Sequence, residues 1–401
     1  MSDIREGDRE DPLARSNGEV ADGGSGRSKA TGDNAEPAIF EDPRALLLTG
    51  LIVLLMFGGI YFLLPNIIGL EDAIAKFDQG EWQWFAVAVG FNVAAFAAYV
   101  ALFRGVIGEN LVHLDWRESY QITMAGLAAS RLLSAGGAGG VILSYWALRK
   151  AGMQRSEAAR RMVAFLVVLY SVYVAAVIIF GVLLRTGVLP GSAPVSVTLI
   201  PAAIAGGLVL LIIPIALIPG DLQGRLSFSG SSWIGRLAVR LSAVPATLST
   251  GIWTAIGFIR SPRKGGLAMS GAVGFWAANI GILWASFMAF GESVPIGVLV
   301  MGFFVGMAAN LAPNPGGVGS VDGGLIGAFV IFGLPASTVI ASVLIYRLIA
   351  FWMPLPPGIV AFVQLRRTVA RWESEGRPVP DTGEQEVANG AAPSITSESK
   401  V

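Results

Sequence analysis

The sequence contains no cysteine and only one histidine, His113. Without cysteine there is no disulfide and no thiolate that could act as a nucleophile or a metal ligand. A single histidine excludes a histidine-rich metal site, and any Ser-His-Asp triad would depend on His113. Charged side chains are also scarce: they make up 14% of the 401 residues, against about 25% in soluble domains. The sequence therefore lacks the cysteine and histidine side chains on which soluble thiol enzymes and many metal enzymes depend.

Apolar residues take the place of the missing charges. They make up 54% of the chain, and the mean hydropathy is +0.64. Because they lie in long blocks, we predict an integral membrane protein made of helices. The 51 glycines fit the close helix packing found in lipid. The formal net charge is zero, so no overall field suggests nucleic acid. For a membrane protein of this kind we expect membrane lipids as partners.

Polar residues are concentrated at the two ends of the chain. Residues 1–44 and 373–401 predict disordered tails, because small, polar and charged side chains dominate there. No apolar core lies near the start, so we expect no cleavable signal peptide. The region between the tails, 45–366, is the predicted membrane domain, and it divides into the halves 45–190 and 195–366.

Lysine and arginine counts in the short loops orient the predicted spans. The basic loop 149–161 is predicted to lie inside, and the acidic loop 66–81 outside. The basic insertion 221–262 is predicted to be an amphipathic helix on the inner leaflet. We therefore expect a multi-pass protein of the cell (cytoplasmic or inner) membrane, with both termini cytoplasmic. The full spans are predicted at 45–65, 82–104, 162–184, 195–219, 266–290 and 336–364.

Two further apolar segments must begin and end on the same side of the membrane. Segment 119–148 lies between two inside loops, and segment 296–334 lies between two outside positions. Each is therefore predicted to enter the membrane and return as a hairpin. The predicted fold class is all-α integral membrane, with about six full transmembrane helices plus two re-entrant hairpins. The second half repeats the first upside down, an inverted repeat that is typical of transporters.

Each predicted hairpin contains a glycine-rich tip. The second tip is LAPNPGGVGSVDGG, residues 311–324, where prolines forbid a continuous helix and glycines permit unusual backbone conformations. Broken backbone at membrane depth is tolerated only where protein or water satisfies its polar groups, so we expect both tips to face a shared interior cavity. The flexible tip residues are Gly136, Gly137, Gly139 and Gly140 in the first hairpin and Pro315, Gly316, Gly317 and Gly319 in the second.

Charged residues inside a membrane are costly and mark functional candidates. Arg131 precedes the first tip, Asp322 follows the second, and Arg347 lies in the last span. In one interpretation the arginines bind a phosphate by bidentate hydrogen bonds, and Asp322 orients one of them. In the other, Asp322 and Arg347 form an ion pair that locks the second hairpin. Both interpretations can hold at once.

Polar residues beside these charges extend the candidate site. Asn310 and Asn314 are predicted either to line the cavity or to cap broken helix ends. Tyr346 directly precedes Arg347. Asn279, in the middle of a span, is expected to form hydrogen bonds between helices.

A basic group at the predicted inner mouth has two interpretations. It could recruit an anionic headgroup, or it could serve as a topology signal that attracts anionic lipid. Its members are Arg155, Arg160 and Arg161. The sequence also contains no nucleotide-binding signature, because the glycine run GGAGG at 136–140 is not followed by the Lys-Ser/Thr of a phosphate-binding loop. We expect no cofactor, no metal and no enzymatic activity.

The segment 314–358 resembles the C-terminal signature of the flippase-like family, also called the lysylphosphatidylglycerol synthase transmembrane region. That signature is Pro-Gly-Gly-x-Gly with an acidic residue just after it, followed by Tyr-Arg and Phe-Trp in the last span. Here its residues are Pro315, Gly316, Gly317, Gly319, Asp322, Tyr346, Arg347, Phe351, Trp352 and Pro354. A looser match in the first half extends the resemblance to roughly 45–366.

Two departures from the family qualify what the resemblance implies. The acidic position is often Glu in the family and is Asp322 here, which shortens its reach by one methylene. No soluble aminoacyl-transferase domain follows the last span. The resemblance therefore implies the flipping half of such proteins and not lysyl-lipid synthesis.

Together these patterns predict a flippase-like membrane protein that moves a phospholipid or lipid-linked headgroup through a polar cavity between two hairpins. Three alternatives stay open: a small-solute transporter on the same scaffold, a membrane enzyme acting on a lipid phosphate, and a noncatalytic partner in an envelope lipid or glycan synthesis complex. A homo-oligomer is also open.

Overall fold

A computed structural model describes residues 81–108, 114–133, 138–216, 248–312 and 317–375, and the regular structure in these residues is helical. The α-helices that we label are α1 (Trp82–Ile107), α2 (Trp116–Leu133), α3 (Ala138–Lys150), α4 (Arg155–Arg185), α5 (Leu199–Ala216), α6 (Pro262–Met288), α7 (Ile296–Met307), α8 (Ser320–Ile331), α9 (Ala336–Arg347) and α10 (Leu355–Ser374). Further helical residues are 248–260, the 3-10 turns Val195–Val197 and Ala308–Leu311, and the π-helical turn Leu348–Trp352.

Five helical stretches in the described residues are long and apolar enough to cross a membrane. They are Trp82–Ile107, Arg155–Arg185, Val195–Ile212, Gly265–Met288 and Ala336–Ser374. Each overlaps one of the predicted spans, so the predicted membrane-helical character of this region is confirmed. Some predictions lie outside the described residues. They are the N-terminal tail 1–44, the span 45–65, most of the insertion 221–262, and the C-terminal tail beyond residue 375.

The second predicted hairpin is built from two short helices. The helices α7 and α8 have 12 residues each. At 1.5 Å per residue such a helix is about 18 Å long, less than the roughly 30 Å of a hydrocarbon core. Both are apolar, and glycines let them pack closely, since a Cβ added to Gly306 would lie 2.6 Å from the Cα of Leu325. Each of the two helices is therefore too short to cross a hydrocarbon core by itself.

The first predicted hairpin consists of α2 and α3, which are in backbone contact. The amide of Gly140 donates to the hydroxyl of Ser130 over 2.9 Å. A Cβ at Gly140 would lie 2.5 Å from the carbonyl oxygen of Gly126, so only glycine allows this approach. The helices α2 and α3 therefore pack closely against each other.

Helix ends gather in two sets. In one set, the Glu81 amide at the start of α1 donates to Ala289 just after α6 over 3.1 Å, and the Ser192 hydroxyl donates to the carbonyl of Phe332 just after α8. These loops are the predicted outer ones.

In the other set, Lys150 at the end of α3 pairs with Glu373 in α10 at 2.5 Å, and Arg161 near the start of α4 donates to the Val106 carbonyl in α1 over 2.6 Å. These ends belong to the predicted inner loops. The pairing of ends therefore agrees with the alternation that the loop charges predict.

The last helical stretch is interrupted at its centre. Between α9 and α10 the hydrogen bonding shifts to the π pattern, with the Met353 amide donating to Leu348 over 3.0 Å. Pro354 has no N–H, so the Ala350 carbonyl loses the donor that a regular α-helix would supply four residues later. Carbonyl oxygens near the middle of the molecule are thus left for donors from other elements.

Candidate functional site

A cavity of about 220 Å³ lies where the two hairpins approach the interrupted last helix. Its walls come from α1, α2, α3, α4, α6 and α8, from the turn after α7, and from the segment around the π-helical turn. The polar and aromatic lining residues include Tyr99, Ser130, Arg131, Ser144, Tyr170, Trp276, Asn279, Asn310, Tyr346 and Arg347. This cavity brings Arg131, Arg347, Asn310 and Tyr346 together; of the described tip glycines, Gly140 lines it and Gly317 and Gly319 do not.

Arg131, at the end of α2, reaches across to the interrupted helix. Its two terminal nitrogens donate to the carbonyl oxygens of Phe351 and Ala350 over 2.8 and 2.9 Å. These carbonyls lie in the π-helical turn, so the guanidinium fork replaces backbone donors that the turn and Pro354 remove. Arg131 both lines the cavity and fastens the tip of the first hairpin to the last helix.

Arg347, at the end of α9, fastens the second hairpin to the same segment. Its Nε lies 2.7 Å from Oδ1 of Asp322, and a terminal nitrogen donates to the Gly317 carbonyl over 3.3 Å. Both side chains are buried. The structure thus confirms the predicted ion pair between the second tip and the last span, although Asp322 lies behind Arg347 and not in the cavity lining.

Asp322 has a second structural contact that explains its position. It is the third residue of α8, and its Oδ2 accepts a hydrogen bond from the Gly319 amide over 2.8 Å. This carboxylate therefore caps the N-terminus of α8, where a negative charge is favoured by the helix dipole. Gly319 itself has φ +82° and Gly317 has φ +64°, conformations that glycine adopts without strain.

The ring of Phe351 lies close to both arginines. The guanidinium carbons of Arg131 and Arg347 lie 5.2 and 4.5 Å from the centre of its ring. Both distances are within the range of cation–π attraction, which stabilises the charges without neutralising them. The only carboxylate paired with either guanidinium among the described contacts is that of Asp322. The described cluster therefore carries two positive charges and one negative charge.

Aromatic and polar residues of the lining complete the site. Tyr99 packs edge-on against Phe165, with ring centres 5.4 Å apart, and the indole N–H of Trp276 donates to the Leu169 carbonyl over 2.8 Å. Asn279 donates to the Phe275 carbonyl of its own helix over 2.8 Å, not across helices as expected. The sequence analysis missed Tyr99 and Tyr170, because a Tyr within an apolar span gives no periodic signal.

The predicted inner-mouth arginines lie outside the cavity lining. Glu157 pairs with Arg161 at 2.7 Å and also with Arg160, both on its own helix. Arg161 in addition donates to the carbonyl of Val106 near the end of α1. Arg155 is exposed at the first turn of α4. The Arg161 contact joins α4 to α1, so this arginine has a structural role whether or not the cluster meets lipid headgroups.

The predicted tip residues divide into two groups. Gly136, Gly137, Asn314, Pro315 and Gly316 lie outside the described residues. Of the others, Gly140 lines the cavity and Gly139 is buried next to it. Among the described residues, no three His, Asp or Glu side chains come together as metal ligands do.

Comparison with known proteins supports the resemblance. The family model "Lysylphosphatidylglycerol synthase TM region" matches residues 45–358. Two proteins of Methanothermobacter thermautotrophicus, each named "UPF0104 membrane protein", share 31% identity over 93 residues and 30% over 117 residues. These matches cover 23% and 28% of this chain, and they span only 26% and 35% of the relatives' own lengths. The family model covers most of this chain. The chain therefore belongs to the family of lysylphosphatidylglycerol synthase TM regions.

Proposed function

We propose that this protein moves the headgroup of a phospholipid or lipid-linked molecule across the cell membrane through the cavity between its two hairpins. The observation that carries the proposal is the charge arrangement at this cavity. Two buried or half-buried arginines, Arg131 and Arg347, meet there within an otherwise apolar helical bundle, and Asp322 compensates only one of them. An intramembrane cluster with excess positive charge is suited to an anionic group such as a phosphate.

The size of the cavity favours a headgroup over a whole lipid. Pockets that enclose drug-sized ligands measure about 300–1,000 Å³, and this one measures about 220 Å³. Tyr170 lines the cavity and is also 49% exposed near the middle of α4. The cavity therefore reaches the apolar flank of the bundle, where acyl chains could stay in lipid while the headgroup occupies the cavity.

The two hairpins supply a route for alternating exposure. Arg131 of the first hairpin and Gly317 and Asp322 of the second contact the same short segment, residues 347–351. A movement of either hairpin must therefore break these contacts or displace this segment. We propose that the hairpins are re-entrant and that rocking of the two halves opens the cavity to each side in turn. The proposal involves translocation without a chemical step.

The test is lipid movement in vesicles that contain the purified protein. A phospholipid labelled with a nitrobenzoxadiazole (NBD) fluorophore is present in both leaflets, and dithionite added outside bleaches only the outer leaflet. We expect faster loss of the protected signal with the wild type than with empty vesicles. Arg131→Gln should slow movement by roughly tenfold or more, because it removes a charge-assisted contact worth about 1.5–3 kcal/mol.

Two control variants separate the charge of Arg131 from its structural contacts. Arg131→Lys keeps the charge but loses the two-pronged contact with the Ala350 and Phe351 carbonyls, so it should retain more activity than Arg131→Gln. Arg263→Gln changes an exposed arginine near the start of α6 and should behave as the wild type. Equal rates for wild type and empty vesicles, with several headgroups, would contradict the proposal and favour the small-solute or partner alternatives.

A further inference from the structure

We infer that the cavity selects a phosphodiester monoanion over a phosphomonoester dianion. This inference rests on the proposed function and specifies the chemical class of its substrate. It follows from the net charge of the cluster around Phe351, from the apolar surroundings of that cluster, and from the unequal roles of its two arginines.

The charge of the cluster is counted from its described side chains. Arg131 and Arg347 contribute two positive charges, and Asp322 contributes one negative charge. The tip segments 134–137 and 313–316 consist of Ser, Ala, Gly, Pro and Asn, so neither can add an ionised side chain. The remaining ionisable groups of the described lining are tyrosine phenols, Tyr99, Tyr170 and Tyr346, which are neutral between about pH 5 and 9. Among the residues that the structure describes, the site therefore has a net charge of plus one.

A charge that stays unbalanced in apolar surroundings is costly, because little solvent is present to screen it. The wall of the cavity includes Phe165, Leu166, Leu169, Phe275 and Phe351. A monoanion brings the cluster to neutrality. A dianion leaves one uncompensated negative charge among these side chains, so its occupancy is disfavoured.

The contacts assign different roles to the two arginines. Arg347 is held by Asp322 and by the Gly317 carbonyl, so its charge is already balanced and it acts as a positioning residue. Arg131 donates to neutral carbonyls of Ala350 and Phe351, and no carboxylate pairs with it among the described contacts. Arg131 therefore carries the charge that is left for the ligand.

The test compares two lipids that differ by one methyl group. Phosphatidylmethanol is a phosphodiester with one negative charge at every pH used. Phosphatidic acid is a phosphomonoester whose second ionisation occurs near pH 6, so it is mainly a monoanion at about pH 5 and a dianion at about pH 9. Short-chain NBD forms of both are followed by albumin extraction, because dithionite decomposes in acid.

We expect the wild type to move phosphatidylmethanol at similar rates at both pH values. Phosphatidic acid should match it at about pH 5 and fall behind by at least about tenfold at about pH 9. Phosphatidylmethanol reports any titration or unfolding of the protein itself. If phosphatidic acid keeps pace at the higher pH, the charge selection is overturned while the proposed function stands. If neither lipid moves at either pH, the proposed function falls, and this inference with it.

Two further arms sharpen the result. Asp322→Asn keeps an acceptor for the Gly319 amide and raises the site charge to plus two, so it should reduce the disadvantage of phosphatidic acid at about pH 9. Uptake of soluble dimethyl phosphate into the same vesicles distinguishes a headgroup from a free anion of the same chemistry. Uptake of this solute without lipid movement would overturn the proposed function, and this inference with it, and would favour the small-solute alternative.

Discussion

Arg131 and Arg347 look equivalent in the sequence, since each is a single arginine within an apolar segment. Their contacts make them different. Arg347 belongs to a buried ion pair with Asp322, whereas Arg131 caps two backbone carbonyls and faces the cavity. Substitutions at the two positions should therefore affect different properties, stability at Arg347 and ligand binding at Arg131.

The ion pair can be tested by a double-mutant cycle. Arg347→Met leaves Asp322 as a buried charge without its partner, so we expect a loss of about 3–5 kcal/mol in unfolding free energy. Asp322→Asn should also destabilise, and the double variant should lose less than the sum of the single losses. Thermal unfolding in mild detergent provides the measurement. Strictly additive losses would show that the two residues are not coupled in the folded protein.

At the scale of elements, glycines decide which helices can meet. A Cβ at Gly271 in α6 would lie 2.4 Å from the backbone nitrogen of Leu102 in α1, and a Cβ at Gly105 in α1 would lie as close to the Ala268 nitrogen. Apolar burial cannot drive association between helices in lipid, so this close backbone packing is what holds α1 against α6.

Two glycines of α6 form a matched pair for this point. Gly271→Ala should destabilise the protein by about 1–3 kcal/mol, because the added methyl meets backbone that cannot rotate away. Gly266→Ala adds the same methyl on the same helix where no atom lies within 4 Å, and it should be neutral or stabilising by up to about 1 kcal/mol. Thermal unfolding of both variants in one detergent compares them directly. Equal shifts would mean that α1 and α6 can separate without cost.

The π-helical turn also links the elements of the site. The first hairpin contacts the turn itself through Arg131, and the second hairpin contacts Arg347, the residue just before it. Pro354→Ala would restore the N–H that the Ala350 carbonyl lacks, which gives this carbonyl a donor other than Arg131. We expect thermal stability to be kept or raised and lipid movement to slow. Pro356→Ala is the matched control. Its new N–H would be a donor for the Trp352 carbonyl, which Arg131 does not contact. Equal activity of the two variants would argue against a role for the turn.

At the scale of the whole molecule, the predicted topology places both ends of the second hairpin on one side. The absence of cysteine makes single-cysteine labelling unambiguous. We expect Ser293→Cys, before α7, and Ala336→Cys, after α8, to react with a membrane-impermeant maleimide in intact cells. Ser156→Cys, at the start of α4, should react only after permeabilisation. All three positions are exposed on the protein. Labelling of Ser293→Cys and Ala336→Cys from opposite sides would contradict the re-entrant hairpin.

The sequence by itself determined the membrane class and the approximate positions of the described spans, because hydropathy and loop charge are local signals. It also placed Arg131, Asn310, Tyr346 and Arg347 in one candidate site, and these four do line one cavity. Only the tertiary structure decided which charge is balanced. Asp322 could have neutralised either arginine, and the crossing of α8 with α9 puts it 2.7 Å from Arg347. The same holds for Tyr170 and Trp276, which join the site because helices far apart in the chain pack side by side.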